Sequence, residues 1–130
     1  MSAPGRPSPI VIGVDDDFRV RESLASLLES AGWTPVMFAS AEDFLSSGVL
    51  AQAGCLISDV RMPGMDGLEL QRRVRFERPA LPVIFITAHN NSEVRCRALA
   101  DGAMEFLYKP FDGTELLQII ERALSGRSET

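Results

Sequence analysis

Long apolar runs are missing from this chain: none approaches the twenty or so residues that a membrane-crossing helix needs. Cysteine is scarce. Cys55 and Cys96 are far apart, and neither has a second cysteine or a nearby histidine at metal-ligand spacing. That excludes a disulfide framework and leaves buried thiols as the expectation, with one Cys55–Cys96 bridge as the alternative. No signal-peptide pattern opens the sequence, so a reducing cytoplasm is the expected compartment. An excess of positive charge is also lacking. The formal net charge is -5, so the chain offers no broad positive field to nucleic acid or to an anionic membrane, and any DNA contact would have to come from elsewhere. Histidine occurs once, as His89, and a lone histidine behind a strand is ordinarily a loop or cap residue. There is no internal repeat and no low-complexity block.

What remains is an ordinary globular composition, 45% hydrophobic and 24% charged, in a length suited to one domain with one core. Residues 1–9, rich in Pro, Gly and Ser, are expected to form a flexible arm, residues 10–126 the domain, and residues 127–130 a tail or the start of a linker. Ile10–Val14 is a β-branched run suited to a strand buried on both faces. Asp15, Asp16 and Asp17 follow, and Val20, Leu24, Leu27 and Leu28 then repeat at helical spacing up to Gly32, with Asp17 as a cap. Trp33–Phe38 predicts a second strand, weakened by Pro35. Ser40 and Asp43 open a short helix that ends near Gly48.

Cys55–Ser58 predicts a third strand. Leu68, Leu70, Val74 and Phe76 supply the apolar positions of a third helix, which Pro79 ends. Pro82–Ile86 is the clearest buried strand, and Asn90, Asn91 and Ser92 offer caps for a helix carrying Val94, Ala98 and Leu99 up to Asp101–Gly102. Met104–Tyr108 predicts a fifth strand, broken by Lys109-Pro110-Phe111, and Leu116, Leu117, Ile119, Ile120 and Leu124 define a last helix ending near Gly126. Five strand–helix repeats with short loops predict an α/β, doubly wound parallel sheet with helices on both faces.

In such folds ligands bind outside the carboxyl ends of the strands. The residues there form a chemical set: Asp15, Asp16 and Asp17 after strand 1, Asp59 after strand 3, Thr87 after strand 4 and Lys109 after strand 5. Converging carboxylates repel one another, so the set needs a cation, and an all-oxygen donor group favours a hard divalent ion such as magnesium. Lys109 adds a point positive charge and Thr87 a hydroxyl donor, enough to hold a phosphoryl group against a carboxylate. The predicted chemistry is phosphoryl transfer to Asp59.

Four ordered motifs, Val14-Asp15-Asp16-Asp17, Ser58-Asp59-Val60-Arg61-Met62-Pro63 with Asp66-Gly67, Ile86-Thr87-Ala88 and Tyr108-Lys109-Pro110-Phe111, resemble the CheY-like receiver domain of two-component response regulators. That resemblance implies a flavodoxin-like (βα)5 fold with strand order 2-1-3-4-5. It implies Asp59 as phosphoacceptor from a sensor histidine kinase, and Asp15, Asp16 and Asp59 with the Arg61 backbone carbonyl around Mg2+, or Mn2+ in its place. Thr87 and Lys109 would bind the phosphoryl group, and Phe106 matches an aromatic switch position. On phosphorylation Thr87 would draw toward the phosphate and Phe106 turn inward, altering the face of the fourth helix, fifth strand and fifth helix, where a homodimer could form. Arg61 and His89, each two residues beyond a site residue, would tune hydrolysis. Arg61-Met62-Pro63, Thr87-Ala88-His89 and Phe111 look similar to FixJ-like receivers, which usually carry a LuxR-type DNA-binding output domain. The resemblance thus implies a switch that catalyses only its own phosphorylation and dephosphorylation, not an enzyme acting on other substrates, with a transcriptional output.

Each residue alone has a plainer explanation. Asp59 can cap a turn, Thr87 can satisfy backbone groups, Lys109 can be a loop charge, Phe106 can be core, and Arg72, Arg73, Arg75 and Arg78 can be a solvated face. Two other functions compete. A magnesium phosphatase of the haloacid-dehalogenase kind would use the Asp-x-Asp of Asp15–Asp17, with Asp15 as nucleophile, but it expects Gly-Thr where Phe18-Arg19 stand and a cap for which there is no room. A degenerate receiver serving only as a binding scaffold would not need all the acids, the threonine and the lysine together.

Overall fold

In a computed structural model, which describes residues 8–128, the chain alternates strand and helix. The elements are β1 (Ile10–Val14), α1 (Phe18–Ser30), β2 (Thr34–Phe38), α2 (Ala41–Ser47), a 3-10 turn (Val49–Gln52), β3 (Ala53–Asp59), α3 (Gly67–Glu77), β4 (Val83–Thr87), α4 (Ser92–Ala100), β5 (Glu105–Tyr108) and α5 (Gly113–Ser128). The strands pair in parallel in the order 2-1-3-4-5. This is the doubly wound (βα)5 sheet that the alternation predicted.

Side-chain alternation divides the core between the two faces. Ile12, Val14, Leu56 and Phe85 pack with Phe44, Leu70, Val74 and Ala98 on one side. Val11, Cys55, Ile57, Ile84 and Ile86 pack with Leu24, Leu28, Leu116 and Ile120 on the other. The central strands are therefore buried on both faces, as their continuous apolar runs require. Pro35 is tolerated because β2 is an edge strand, with no neighbour beyond it.

The caps follow the local chemistry. Asp17, Ser40 and Asn91 accept backbone N–H groups at the starts of α1, α2 and α4, and Gly48 closes α2 at a φ of 78°. Among the described residues no helix is long and apolar enough to cross a membrane.

Several expectations need correction. Most of the expected arm, residues 1–7, lies outside the described residues, as do 129–130 of the tail. Pro9 is tied to the sheet instead: its carbonyl accepts the Thr34 N–H at 2.9 Å. Phe76 is not a core position of α3 but is 90% exposed, because two residues beyond buried Val74 is about 200° around a helix. β3 extends to Ala53 and Asp59, and α5 runs through Gly126 to Ser128. Cys55 is buried but Cys96 is exposed on α4, and they form no disulfide. The arginines of α3 are not merely solvated. Arg75 donates to the Asp101 carbonyl at the end of α4, and Arg78 donates to the carbonyls of Leu50 and Ala51 at 2.7 and 3.2 Å.

The turn from β3 into α3 brings backbone against backbone. The Gly67 N–H donates to the Val60 carbonyl at 2.7 Å, and a Cβ on Gly67 would stand 2.3 Å from the Asp59 carbonyl oxygen and 3.0 Å from the Phe85 ring. No side chain fits between backbone and ring there, so glycine is what lets α3 start directly beneath Asp59. Gly67→Ala should therefore destabilise the domain by about 1–3 kcal/mol through overpacking. Urea unfolding measures this, and a midpoint unchanged from wild type would sink the account.

Candidate functional site

The carboxyl ends of β1, β3, β4 and β5 meet at one edge of the sheet, and the predicted residues meet with them. Asp15, the first residue beyond β1, is fully buried, Asp59 ends β3 at 7% exposure, and Thr87 ends β4 at 1%. Lys109 follows β5, and its N–H donates to the Thr87 carbonyl at 2.7 Å, which continues the β4–β5 pairing one step and aims the side chain over the edge. The Lys109 Nζ then bridges two strands, donating to Asp15 Oδ2 at 2.8 Å and to Asp59 Oδ2 at 3.2 Å.

Other backbone groups hold the remaining oxygens. The Asp17 N–H donates to Asp15 Oδ1 at 2.9 Å, and the Arg61 N–H lies 3.4 Å from Asp59 Oδ1. The Thr87 hydroxyl accepts the His89 N–H at 3.1 Å. Asp16 is exposed beside the buried pair, and one oxygen from each of Asp15, Asp16 and Asp59 lies within 4.8 Å of the others. Asp17 stands apart as the cap of α1.

Three carboxylates face one ammonium, so the pocket carries net negative charge. Burial pushes the Asp15 carboxyl above its ordinary range, and the Asp59 charge adds to this; the hydrogen bonds from Lys109 and from the Asp17 N–H work against it. Burial alone would lower the Lys109 pKa, but its bond to Asp15 and the charges of Asp15 and Asp59 outweigh that and hold the ammonium above the usual lysine value. The donor set is entirely oxygen, anionic and open on the Asp16 side. That is the chemistry of a hard cation with room left for further oxygen ligands.

The two outer residues are alike. Arg61 and His89 are both exposed, and each meets the site through its backbone N–H, Arg61 at Asp59 and His89 at Thr87. Phe106 is buried at 6% exposure, edge-on to Tyr108 with ring centroids 5.6 Å apart and 6.1 Å from Phe85. Its ring packs against the core in this structure.

Two contacts were not foreseen. The Glu42 carboxylate on α2 accepts the Met65 N–H at 2.8 Å, which pins the loop beyond Asp59 and keeps that carboxyl below its usual range. Arg21, one turn into α1, donates to the Asp15 carbonyl at 2.8 Å. The one signal for Arg21 was its sign: a cation near a helix N-terminus opposes the helix dipole.

Comparison with known proteins agrees with this geometry. Residues 11–121 match the response regulator receiver domain family. The transcriptional regulatory protein FixJ of Bradyrhizobium diazoefficiens is 40% identical over 111 residues, which is 85% of this chain and 54% of FixJ. The chain spans about half the length of the curated FixJ relatives that it matches. Among solved structures, FixJ-N superposes with a TM-score of 0.80 at 37% identity, covering 92% of this chain and 96% of that one. The response regulator StyR superposes with a TM-score of 0.85 at 45% identity, covering 94% and 62% respectively.

The raised Asp15 pKa has a definite sign in stability. A carboxyl whose folded pKa lies above its unfolded value binds its proton more tightly when folded, so its contribution is greatest below the unfolded pKa and falls as pH rises through the folded one. In metal-free buffer, wild type should therefore lose stability relative to Asp15→Asn as pH rises above the ordinary carboxylate range of about 4. Lys109 stays protonated through neutral pH, since its own value is raised. Urea unfolding of both proteins across the range measures the difference, and a flat or opposite trend would refute the electrostatic account.

Proposed function

The chain belongs to the response regulator receiver domain family, whose members are phosphorylation-dependent signalling switches rather than metabolic enzymes, and from that premise we propose that Asp59 is its phosphoacceptor. The observation that carries this is the Lys109 ammonium, shared between Asp15 and Asp59 at the edge where Thr87 also ends its strand. Asp59 attacks the phosphorus of a phosphohistidine on a sensor kinase. The new O–P bond forms as the P–N bond breaks, and the imidazole leaves.

Lys109 already bonds an Asp59 oxygen, so a short shift brings its Nζ to a phosphoryl oxygen. Thr87 accepts from His89 and keeps its own proton free to donate to another. Asp15, Asp16 and Asp59, with the Arg61 carbonyl, would hold Mg2+, or Mn2+ in its place, which when bound neutralises charge on the phosphoryl oxygens. The domain thus promotes its own phosphorylation and dephosphorylation, and Arg61 and His89 tune the second.

The surface that changes is the α4–β5–α5 face. Thr87 and Phe106 stand on neighbouring strands that bring signal from the site toward it, and an altered face suits a homodimer. The full-length FixJ relatives are transcriptional regulators, which favours a DNA-binding output beyond the region matched here and a cytoplasmic setting. Phe18-Arg19 stand where a phosphatase of the haloacid-dehalogenase kind expects Gly-Thr, which disfavours Asp15 as the nucleophile of such an enzyme. The intact acid–lysine–threonine set likewise disfavours a mere scaffold.

Incubation with Mg2+ and acetyl phosphate, followed by intact-mass measurement, should show one acid-labile phosphoryl adduct on wild type and none on Asp59→Asn; an adduct that persists in the variant would reject Asp59. Followed over time, the adduct on His89→Ala should decay at a changed rate with Mg2+ affinity kept, and equal decay would remove His89 from any tuning role. Amide exchange with and without beryllofluoride should differ on α4, β5 and α5. If those segments exchange alike in both states, the proposed output face is wrong.

A further inference from the structure

Arg21 breaks a local rule. It lies at the start of α1, where the exposed N–H groups and the helix dipole favour anions such as the Asp17 cap. Its guanidinium does not extend into solvent. It lies 5.7 Å from the centroid of the Phe18 ring and turns back six residues, so that Nη1 donates to the Asp15 carbonyl at 2.8 Å.

That carbonyl belongs to the peptide joining Asp15 to Asp16. The Asp15 side of the turn is fixed independently: its N–H donates to the Phe38 carbonyl at 3.1 Å, and its carboxylate is held by Lys109 and the Asp17 N–H. The Asp16 side chain is exposed, so its direction depends on the peptide planes on either side of it. Arg21 sets the plane of the first of these.

We propose that Arg21 is a positioning residue for the cation site: by holding the Asp15 carbonyl it orients the Asp15–Asp16 peptide so that the Asp16 carboxylate faces Asp15 and Asp59. This rests on the reading that these three acids hold a divalent cation. Two effects of Arg21 have opposite signs. As a charge, the guanidinium repels a divalent ion, so its removal would tighten binding. As a clamp it pre-organises a ligand, so its removal weakens binding. The geometry favours the clamp, because the bond to the carbonyl, at 2.8 Å, is half-buried and directional.

The test uses the whole chain with Arg21→Met, which keeps an apolar stem against Phe18 but has no donor, and Arg21→Lys, which keeps the charge and a single mobile donor. Calorimetric titration with Mg2+ should show affinity reduced about tenfold in Arg21→Met, the scale of lost outer-shell support, with a smaller loss in Arg21→Lys. Amide exchange in metal-free protein should show Asp16 and Asp17 exchanging several-fold faster in Arg21→Met. Unchanged or tighter Mg2+ binding in Arg21→Met, with or without a lowered Tm, would overturn the proposal. Should Arg21→Met not fold, Arg21→Lys decides: binding at or above the wild-type affinity rejects the clamp. If wild type itself binds no Mg2+, the cation site fails instead, and slow exchange at Asp16 and Asp17 that Arg21→Met abolishes would still assign the turn to Arg21.

Discussion

One ammonium held by two carboxylates is the interaction on which this sheet edge depends. Asp15 leaves β1 and Asp59 ends β3, and the order 2-1-3-4-5 makes these two strands neighbours. Their acids are therefore forced together with little access to water. Lys109 comes from the far edge of the sheet and reaches across β4 to both, at 2.8 and 3.2 Å. Its long stem is what spans that distance, and its single charge is what makes the pair tolerable. It does not make the pair comfortable, because burial still lifts the Asp15 carboxyl above its usual range. A pocket left with unbalanced negative charge is one that a cation relieves, and whatever binds the folded state alone stabilises it.

The scaffold around that edge is uneven in its hold on the helices. α1 and α5 bury Leu24, Leu28, Leu116 and Ile120 against one face, and α3 buries Leu70 and Val74 against the other. α4 fully buries only Ala98, with Val94 and Leu99 partly buried against the same core. Polar contacts add to that hold: the Asn91 cap at its start, the Gln71 amide that donates to the Ala98 carbonyl at 3.0 Å, and Arg75 on the Asp101 carbonyl at its end. A helix tied by a few directional bonds is easier to displace than one wedged by leucines, since hydrogen bonds can be exchanged one at a time while a packed core cannot deform gradually.

The fold was legible where the sequence carries one strong period or one committed terminator. β1 and β4 are β-branched runs, and Gly48 and Asn91 act at their helix ends as their chemistry requires. β3 was underestimated because Ala53 and Gly54 are too small to register as apolar. Phe76 was misjudged because an aromatic two residues beyond a core valine lies on the opposite side of a helix. The acids, Thr87 and Lys109 were legible because an α/β sheet assigns chemistry to strand ends, which sequence order alone locates. Arg21 and Glu42 were not, because their partners are a backbone carbonyl and a backbone N–H. Such partners carry no residue identity, and only the folded path of the chain reveals them.

Phe106 and the site hydroxyl are neighbours through the strand register. Phe85 and Phe106 are register partners on β4 and β5, as are Thr87 and Tyr108, so the hydroxyl at the site and the aromatic lie two residues apart along adjoining strands. Phe106 itself is buried between the rings of Phe85 and Tyr108. The Thr87 hydroxyl is tied in turn to the next loop, where it accepts the His89 N–H. A hydroxyl can accept one hydrogen bond and donate another, so Thr87 can engage a phosphoryl oxygen without releasing His89. Asn91, two residues beyond His89, caps α4 with its side chain, which accepts the N–H groups of Glu93 and Val94 at 3.0 and 3.1 Å. The loop is thus bonded at one end to the site hydroxyl and at the other to the first turn of α4, so the hydrogen bonds that fix Thr87 and those that start α4 lie within one short segment.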